Sequence, residues 1–159
     1  MTTKRIIYTR PDGGVSVVCP TPEFMSRFEN ESEAISVLRE KNVPTDATNI
    51  QECNVDDLPY RGSFRAAWTQ TGDAPTVDMG KARAIKTDQI RPERNKKLAA
   101  LDIDYIRADE AGNTDKKQSI ATVKQKLRDL PETIQSDLNA LDTPDALEKF
   151  TPTWPSEGE

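Results

Sequence analysis

The residue types that most enzymes use for proton transfer and metal binding are scarce in this sequence. It contains no histidine, the commonest general base and transition-metal ligand. Its two cysteines, Cys19 and Cys53, stand in no CxxC or CxxxH arrangement and therefore predict no zinc site. Two packed thiols are expected, and a disulfide between them is the alternative. The composition favours a non-enzymatic protein with no catalytic residue, metal or cofactor.

Carboxylates form a second group that has to be weighed for chemistry. Five of them crowd one short stretch: Asp102, Asp104, Asp109, Glu110 and Asp115. Paired carboxylates can hold calcium or magnesium, but these lack the spacing of an EF-hand loop, so we expect solvated surface acids. Gly13-Gly14 belongs to no GxGxxG or GxxxxGK[ST] pattern, which excludes a phosphate-binding loop.

The strongest local charge is basic and lies at residues 81–97, here named the basic segment. Its cations are offset there only by Asp88 and Glu93, and they are Lys81, Arg83, Lys86, Arg91, Arg94, Lys96 and Lys97. Such a face contacts phosphate groups in nucleic-acid-binding proteins. The alternative is pairing with acidic side chains, which abound after residue 128. A net charge of −5 and the lack of interleaved aromatic residues count against nucleic acid as a partner.

Local patterns place these residues in an α+β protein with a small N-terminal domain at residues 1–60. Two β-branched segments, residues 4–10 and 15–19, flank Pro11-Asp12-Gly13-Gly14, a turn signal that predicts a β-hairpin. Asn30 and Glu33 form a capping-box pattern that opens a helix. A third strand is predicted at residues 47–55. The expected order is β-β-α-β.

Residues 61–76 are predicted to form a short helix followed by a linker. In the helix, at residues 63–68, Phe64 and Trp68 lie four positions apart and present one aromatic face. We expect this pair to be a docking surface. Gly72 and Pro75 mark the polar loop that follows as a domain boundary.

Residues 77–155 carry two apolar stripes with helical spacing. The members of the stripes recur three and four positions apart: Leu98, Leu101, Tyr105 and Ala108, then Ile120, Val123, Leu127 and Leu130. Gly112 permits a reversal between them, and Thr114 is the expected cap of the return helix. These patterns predict an antiparallel helical hairpin, with a kink or break near Pro92. Short C-terminal helices follow, the last one capped by Thr143.

Ile103 and Ile106 lie on a different face of the first hairpin helix from Leu98 and Tyr105. The helix is therefore apolar over a wide arc, which predicts packing against the return helix on one side and a partner on the other. Trp154 is either a recognition residue or a cover for the helical core.

Short segments of the second half resemble proteins of tailed bacteriophages and prophages, in the tail-associated or tail fibre assembly class. They are Lys81-Ala82-Arg83, Arg91-Pro92-Glu93-Arg94, Thr153-Trp154-Pro155 and residues 97–102 and 126–131. Residues 8–15 and 64–68 also look like small phage-encoded proteins. The resemblance implies a virion component or assembly chaperone, in the virion or host cytoplasm. Its implied partners are other phage structural proteins or further copies of the same chain.

We therefore expect a non-enzymatic structural or assembly protein of the phage tail region. The residues expected to contact partners are Phe64, Trp68, Arg91, Arg94, Leu98, Ile103, Ile106 and Trp154. The alternative is a phage regulatory or nucleic-acid-interacting protein that uses the basic segment. No run of about 18 apolar residues occurs, so no membrane span is predicted.

Overall fold

The computed structural model describes residues 4–59 and 62–156, and its order of elements is that of an α+β protein. The chain divides into two compact units, Met1–Asp78 and Met79–Glu159. The described strands all lie in the first unit, and the long helices lie in the second. Residues 61–76, interpreted above as a short helix and linker, belong to the first unit.

A three-stranded antiparallel sheet is the framework of the first unit. Its strands are β1 (Lys4–Thr9), β2 (Val15–Val18) and β3 (Thr48–Asn54), in the order β2-β1-β3. Ile6 and Ile7 point to opposite faces of β1 because strand residues alternate, and both are fully buried. The central strand is therefore covered on both faces. The predicted hairpin and third strand are confirmed.

The turn between β1 and β2 uses the residues that the sequence singles out. The Arg10 amide donates to the Gly14 carbonyl at 2.8 Å, and Gly13 has a positive φ of 80°. The Asp12 carboxylate accepts from the Gly14 amide at 2.8 Å. That hydrogen bond, together with the Arg10 guanidinium, lowers the pKa of Asp12.

Helix α1 (Pro22–Met25), which no sequence pattern predicts, is a single turn. Helix α2 (Glu31–Asn42) begins after Asn30, whose side chain accepts from the Glu33 amide at 2.8 Å, so the predicted cap is confirmed. From this helix Ile35 packs in one apolar cluster with Ile6 of the sheet.

The helix predicted at residues 63–68 is wrong beyond one 3-10 turn, Arg65–Ala67. Trp68 instead begins β4 (Trp68–Gln70), which pairs antiparallel with β5 (Pro75–Val77). The Arg65 guanidinium donates to the Val15 carbonyl at 2.8 Å and lies 4.0 Å from the Trp68 ring centroid. These contacts come from distant parts of the chain, and local spacing does not contain them.

The two cysteines are separated by the central strand. Cys53 on β3 pairs with Arg5 of β1, and Cys19 directly follows β2 on the other side. Neighbouring strands are about 4.8 Å apart. Two such spacings exceed the roughly 7 Å that a disulfide can span between Cα atoms, so both residues are thiols. Burial raises the pKa of the Cys53 thiol.

The second unit is built on a helical hairpin, as predicted, formed by α3 (Met79–Glu110) and α4 (Thr114–Thr133). The predicted break at Pro92 is wrong, because α3 runs through this residue as one helix. A proline removes one backbone hydrogen bond and crowds the preceding turn. Buried side chains before and after it, Ile90 and Ala108, hold the two halves in one helix.

The hairpin reverses at Gly112, which has a positive φ of 68°. The Asn113 amide donates to the Ala108 carbonyl at 2.8 Å and the Gly112 amide to the Asp109 carbonyl at 2.9 Å, the two bonds of a Schellman motif. The side chain of Asn113 caps α4. The cap predicted at Thr114 is therefore wrong by one residue, since Thr114 is already helical.

Two short helices complete the unit, α5 (Gln135–Asn139) and α6 (Pro144–Lys149). Thr143 caps α6 by accepting from the Ala146 amide at 3.2 Å, as predicted. The predicted stripe of α4 is buried, and its members are Ile120, Val123, Leu127 and Leu130. Within the described ranges no helix has the length and apolar character needed to cross a membrane.

Replacing Gly112 with alanine is expected to lower the free energy of unfolding by about 1 kcal/mol, because side chains disfavour the left-handed conformation. A Cβ atom at Gly112 meets no atom within 4 Å, so the cost is conformational. Gly72→Ala is the matched control, since its Cβ also has space and its φ lies outside the left-handed region. Urea denaturation followed by circular dichroism measures both. Equal losses in the two variants contradict this role of Gly112.

Candidate protein-interaction site

One face of α3 is held firmly against α4. The ammonium groups of Lys117 and Lys124 lie 5.7 Å and 5.2 Å from the centroid of the Tyr105 ring. The same two lysines form ion pairs with Asp109 and Asp102 of α3. These contacts fix α3 to α4 near the hairpin turn, and they give two of the clustered carboxylates a structural role.

The opposite face of α3 is exposed and partly apolar. Ile103 and Ile106 are 54% and 57% exposed, and within the described ranges they are the large hydrophobic side chains left in solvent. Leu98, also predicted as a contact residue, is half-buried. This exposure agrees with the predicted separation of Ile103 and Ile106 from the side of α3 that faces the return helix.

Two cations of the basic segment are internal hydrogen-bond donors. Arg83 donates from Nε to the Leu138 carbonyl at 3.0 Å and from Nη2 to the Leu141 carbonyl at 2.9 Å, at the end of α5. Lys86 donates from Nζ to the Glu148 carbonyl at 2.8 Å, near the end of α6. Cations at these positions satisfy carbonyls that helix ends leave without intrahelical donors. Arg83 and Lys86 therefore hold α5 and α6 on α3.

Lys86 is almost entirely buried, with 9% of its surface exposed. Burial lowers the pKa of its ammonium group, and the nearby Glu148 carboxylate opposes that shift. A sequence signal for this role exists. Lys86 lies four positions from both Ala82 and Ile90, which are buried, so it occupies an apolar stripe at helical spacing. The count of charges in the basic segment hides this position.

The other cations of the basic segment have neighbours on α3 itself. Arg91 forms an ion pair with Asp88, and Arg94 donates from Nη2 to the Asn95 side-chain oxygen at 3.1 Å. Neither predicted contact residue is brought next to Ile103 and Ile106 by such a bond. Both remain candidates only through their position on the same helix.

Trp154 covers the helical unit instead of projecting from it. The ring is half-buried, and the ammonium group of Lys97 lies 5.0 Å from its centroid. Lys97 also approaches Glu93 at 3.8 Å, and Lys96 approaches the same carboxylate at 3.9 Å. Of the two roles open to Trp154, this geometry supports a cover for the core.

The aromatic pair Phe64 and Trp68 does not offer a docking surface. The two residues are 3% and 1% exposed. Trp68 begins a strand, and Arg65 stacks on its ring. The predicted spacing of four on one helix face is absent because only Arg65–Ala67 is helical there.

The cavities and acidic residues carry no sign of a reaction centre. Within residues 4–59 and 62–156, no three carboxylate or thiol groups cluster as metal ligands do. A polar cleft of about 350 Å³ between α3 and α5 is lined by Arg83, Thr87, Arg91, Gln135 and Asn139 among others. Gln135 bonds to the Pro131 carbonyl at 2.8 Å and Arg83 to carbonyls of the α5 end. The cleft is thus a contact zone between helices.

No protein-family model matches the sequence, and no curated protein or solved structure matches it significantly. The exposed face of α3 is therefore the feature on which a functional conclusion depends.

Replacing Lys86 with alanine is expected to lower the free energy of unfolding by about 1–3 kcal/mol, because the Glu148 carbonyl loses a charged donor and a buried stem is removed. Lys96→Ala on the same helix is the matched control. The Lys96 side chain is 79% exposed, and its ion pair with Glu93 is 3.9 Å long. Its removal is expected to change stability by no more than about 0.5 kcal/mol. Guanidinium denaturation compares the two, and similar losses argue against a special role for Lys86.

Proposed function

We propose that this protein is a non-enzymatic structural or assembly protein of a bacteriophage tail region that acts through protein–protein contacts. The observation that supports this most is the exposure of Ile103 and Ile106, 54% and 57%, on a helix fixed in place by α4. Full burial of such a side chain contributes about 1.5–3 kcal/mol. A partner that covers both residues therefore gains substantial free energy. The resemblance of short segments to tail-associated proteins suggests the setting, the virion or the host cytoplasm.

The contacts of the basic segment favour a protein partner over nucleic acid. Arg83 and Lys86 bind carbonyls of the second unit, and Arg91 pairs with Asp88. A phosphate-binding face needs several cations that are free to replace counterions. Here three of the seven cations are engaged by the fold itself, which weakens the alternative of a regulatory or nucleic-acid-interacting protein.

Quantitative mass spectrometry of purified phage particles tests the proposal. A fixed copy number in mature particles is expected of a structural part. Presence in assembly intermediates but loss from mature particles is expected of an assembly chaperone. Absence from both overturns the proposed function.

Replacing Ile103 and Ile106 together with aspartate is expected to reduce incorporation into particles or intermediates at least about a hundredfold. The lost burial of two such side chains exceeds the roughly 2.8 kcal/mol that this factor represents. The thermal midpoint should change little because both positions are solvent-exposed. Thr122→Asp with Gln125→Asp is the matched control, since it adds two carboxylates with the same spacing to exposed positions of α4. Normal incorporation of the Ile103/Ile106 variant contradicts the assigned role of these residues.

The wild-type protein is expected to show no appreciable binding to duplex DNA in a fluorescence anisotropy titration, even at low salt. A face with several phosphate contacts would lose affinity by about 10³–10⁵ between roughly 50 and 200 mM salt, starting from measurable binding. The net charge of −5 also opposes approach to DNA. Tight binding that falls steeply with salt would promote the nucleic-acid-interacting alternative.

A further inference from the structure

We propose that the protein self-associates, with the exposed face of α3 packing antiparallel against the same face of a second copy. This inference rests on the proposed function, because it names the partner that covers Ile103 and Ile106. The face, here named the α3 seam, consists of residues three and four positions apart that are all exposed: Pro92, Lys96, Ala99, Ile103, Ile106 and Glu110.

The α3 seam points away from α4. At about 100° per residue, its centre lies on the opposite side of the helix from the inward-facing residues Leu101 and Ala108. The seam extends about 28 Å at roughly 1.5 Å per residue. A second copy can therefore lie along α3 without displacing the contacts that hold α4.

The distribution of charge along α3 selects an antiparallel arrangement. The basic segment carries seven cations against Asp88 and Glu93, so the N-terminal half of α3 is positive. The C-terminal half carries four acids, Asp102, Asp104, Asp109 and Glu110, against Arg107 alone. Antiparallel pairing brings each positive half beside the negative half of the other copy, twice in a two-fold dimer. Parallel pairing brings like charges together.

The side chains of the α3 seam fix the register of this pair. With the two-fold axis near Leu101, Ile103 of one copy faces Ala99 of the other. Ile106 then lies against the methylene stem of Lys96. Ala99 and Ala100 are closest to the axis, where their small side chains let the helices approach each other.

The same register pairs charges at the edge of the seam. Arg107 of one copy comes beside Glu93 of the other, and symmetry repeats the pair. Arg107 lies 3.3 Å from Asp104 of its own chain and Glu93 at least 3.8 Å from its lysines; these exposed pairs exchange readily. The Asp102 carboxylates of the two copies also approach the axis. Each is already neutralised by Lys124 of its own chain.

The size of the seam sets the expected strength of association. Stable interfaces bury about 1,200–2,000 Å² in total, and two isoleucines per copy do not reach that area. The full length of the seam and its flanking charges are needed. We therefore expect a dimer at the weak end of specific interfaces, with dissociation by dilution and by added salt.

Sedimentation equilibrium of the full-length protein over a wide concentration range tests the proposal. The wild type is expected to approach twice the monomer mass at high concentration. Glu93→Arg and Arg107→Glu should each raise the dissociation constant about tenfold or more, since each removes two symmetric charge pairs. The two changes in one chain should restore association, because the charges are exchanged. Arg128→Glu, an exposed charge reversal on α4, is the control and should leave the dissociation constant unchanged.

Each outcome has a defined meaning. A wild type that stays monomeric overturns the proposed dimer, whereas loss of incorporation in the Ile103/Ile106 variant still supports binding to a different protein. A dimer that the double charge exchange does not restore overturns the antiparallel register. Circular dichroism melts identify any variant that fails to fold. Ile103→Ala, which only shortens an exposed side chain, then takes its place and should weaken the dimer.

Discussion

The continuity of α3 is the constraint on which the second unit depends. This 32-residue helix offers one side to α4 and carries Arg83 and Lys86, whose bonds hold the ends of α5 and α6. If the helix broke at Pro92, the residues that clamp α4 and those that hold α5 and α6 would lie on separate pieces. One lost backbone hydrogen bond costs a few kilocalories per mole. The packing on either side, at Ile90 and Ala108, more than offsets that cost.

Charge has two different uses along this helix. Where a cation is buried, as at Lys86, it serves as a donor to a helix end, and its environment lowers its pKa. Where charges are exposed, as in the contacts of Glu93 with Lys96 and Lys97, they form long ion pairs that contribute little to stability. Exposed charges of this kind are available for orienting a partner, since they can change neighbours at low cost. The exposed isoleucines supply the apolar area that such a contact requires.

The first unit obeys a different constraint, because its central strand is buried on both faces. Ile6 meets α2, and the burial of Ile7 requires a second covering layer. Residues 65–77 turn into a short hairpin, with Arg65 bonded to β2 and Trp68 fully enclosed. A pair of aromatic residues in this position is part of a core. Its spacing alone is equally typical of an exposed helix face, which is why it predicted a docking surface.

The sequence by itself determined the features whose causes are local. The hairpin turn at Gly13, the caps at Asn30 and Thr143, the reversal at Gly112 and the stripe of α4 all depend on residues a few positions apart. The separation of Ile103 from Leu98 follows in the same way from helical periodicity. Tertiary structure decided the rest: α3 passing Pro92, Trp68 in a strand, and the division of the basic segment into internal donors and exposed charges. In each of these, contacts from distant residues outweigh a local preference of one to three kilocalories per mole, on the order that such preferences have.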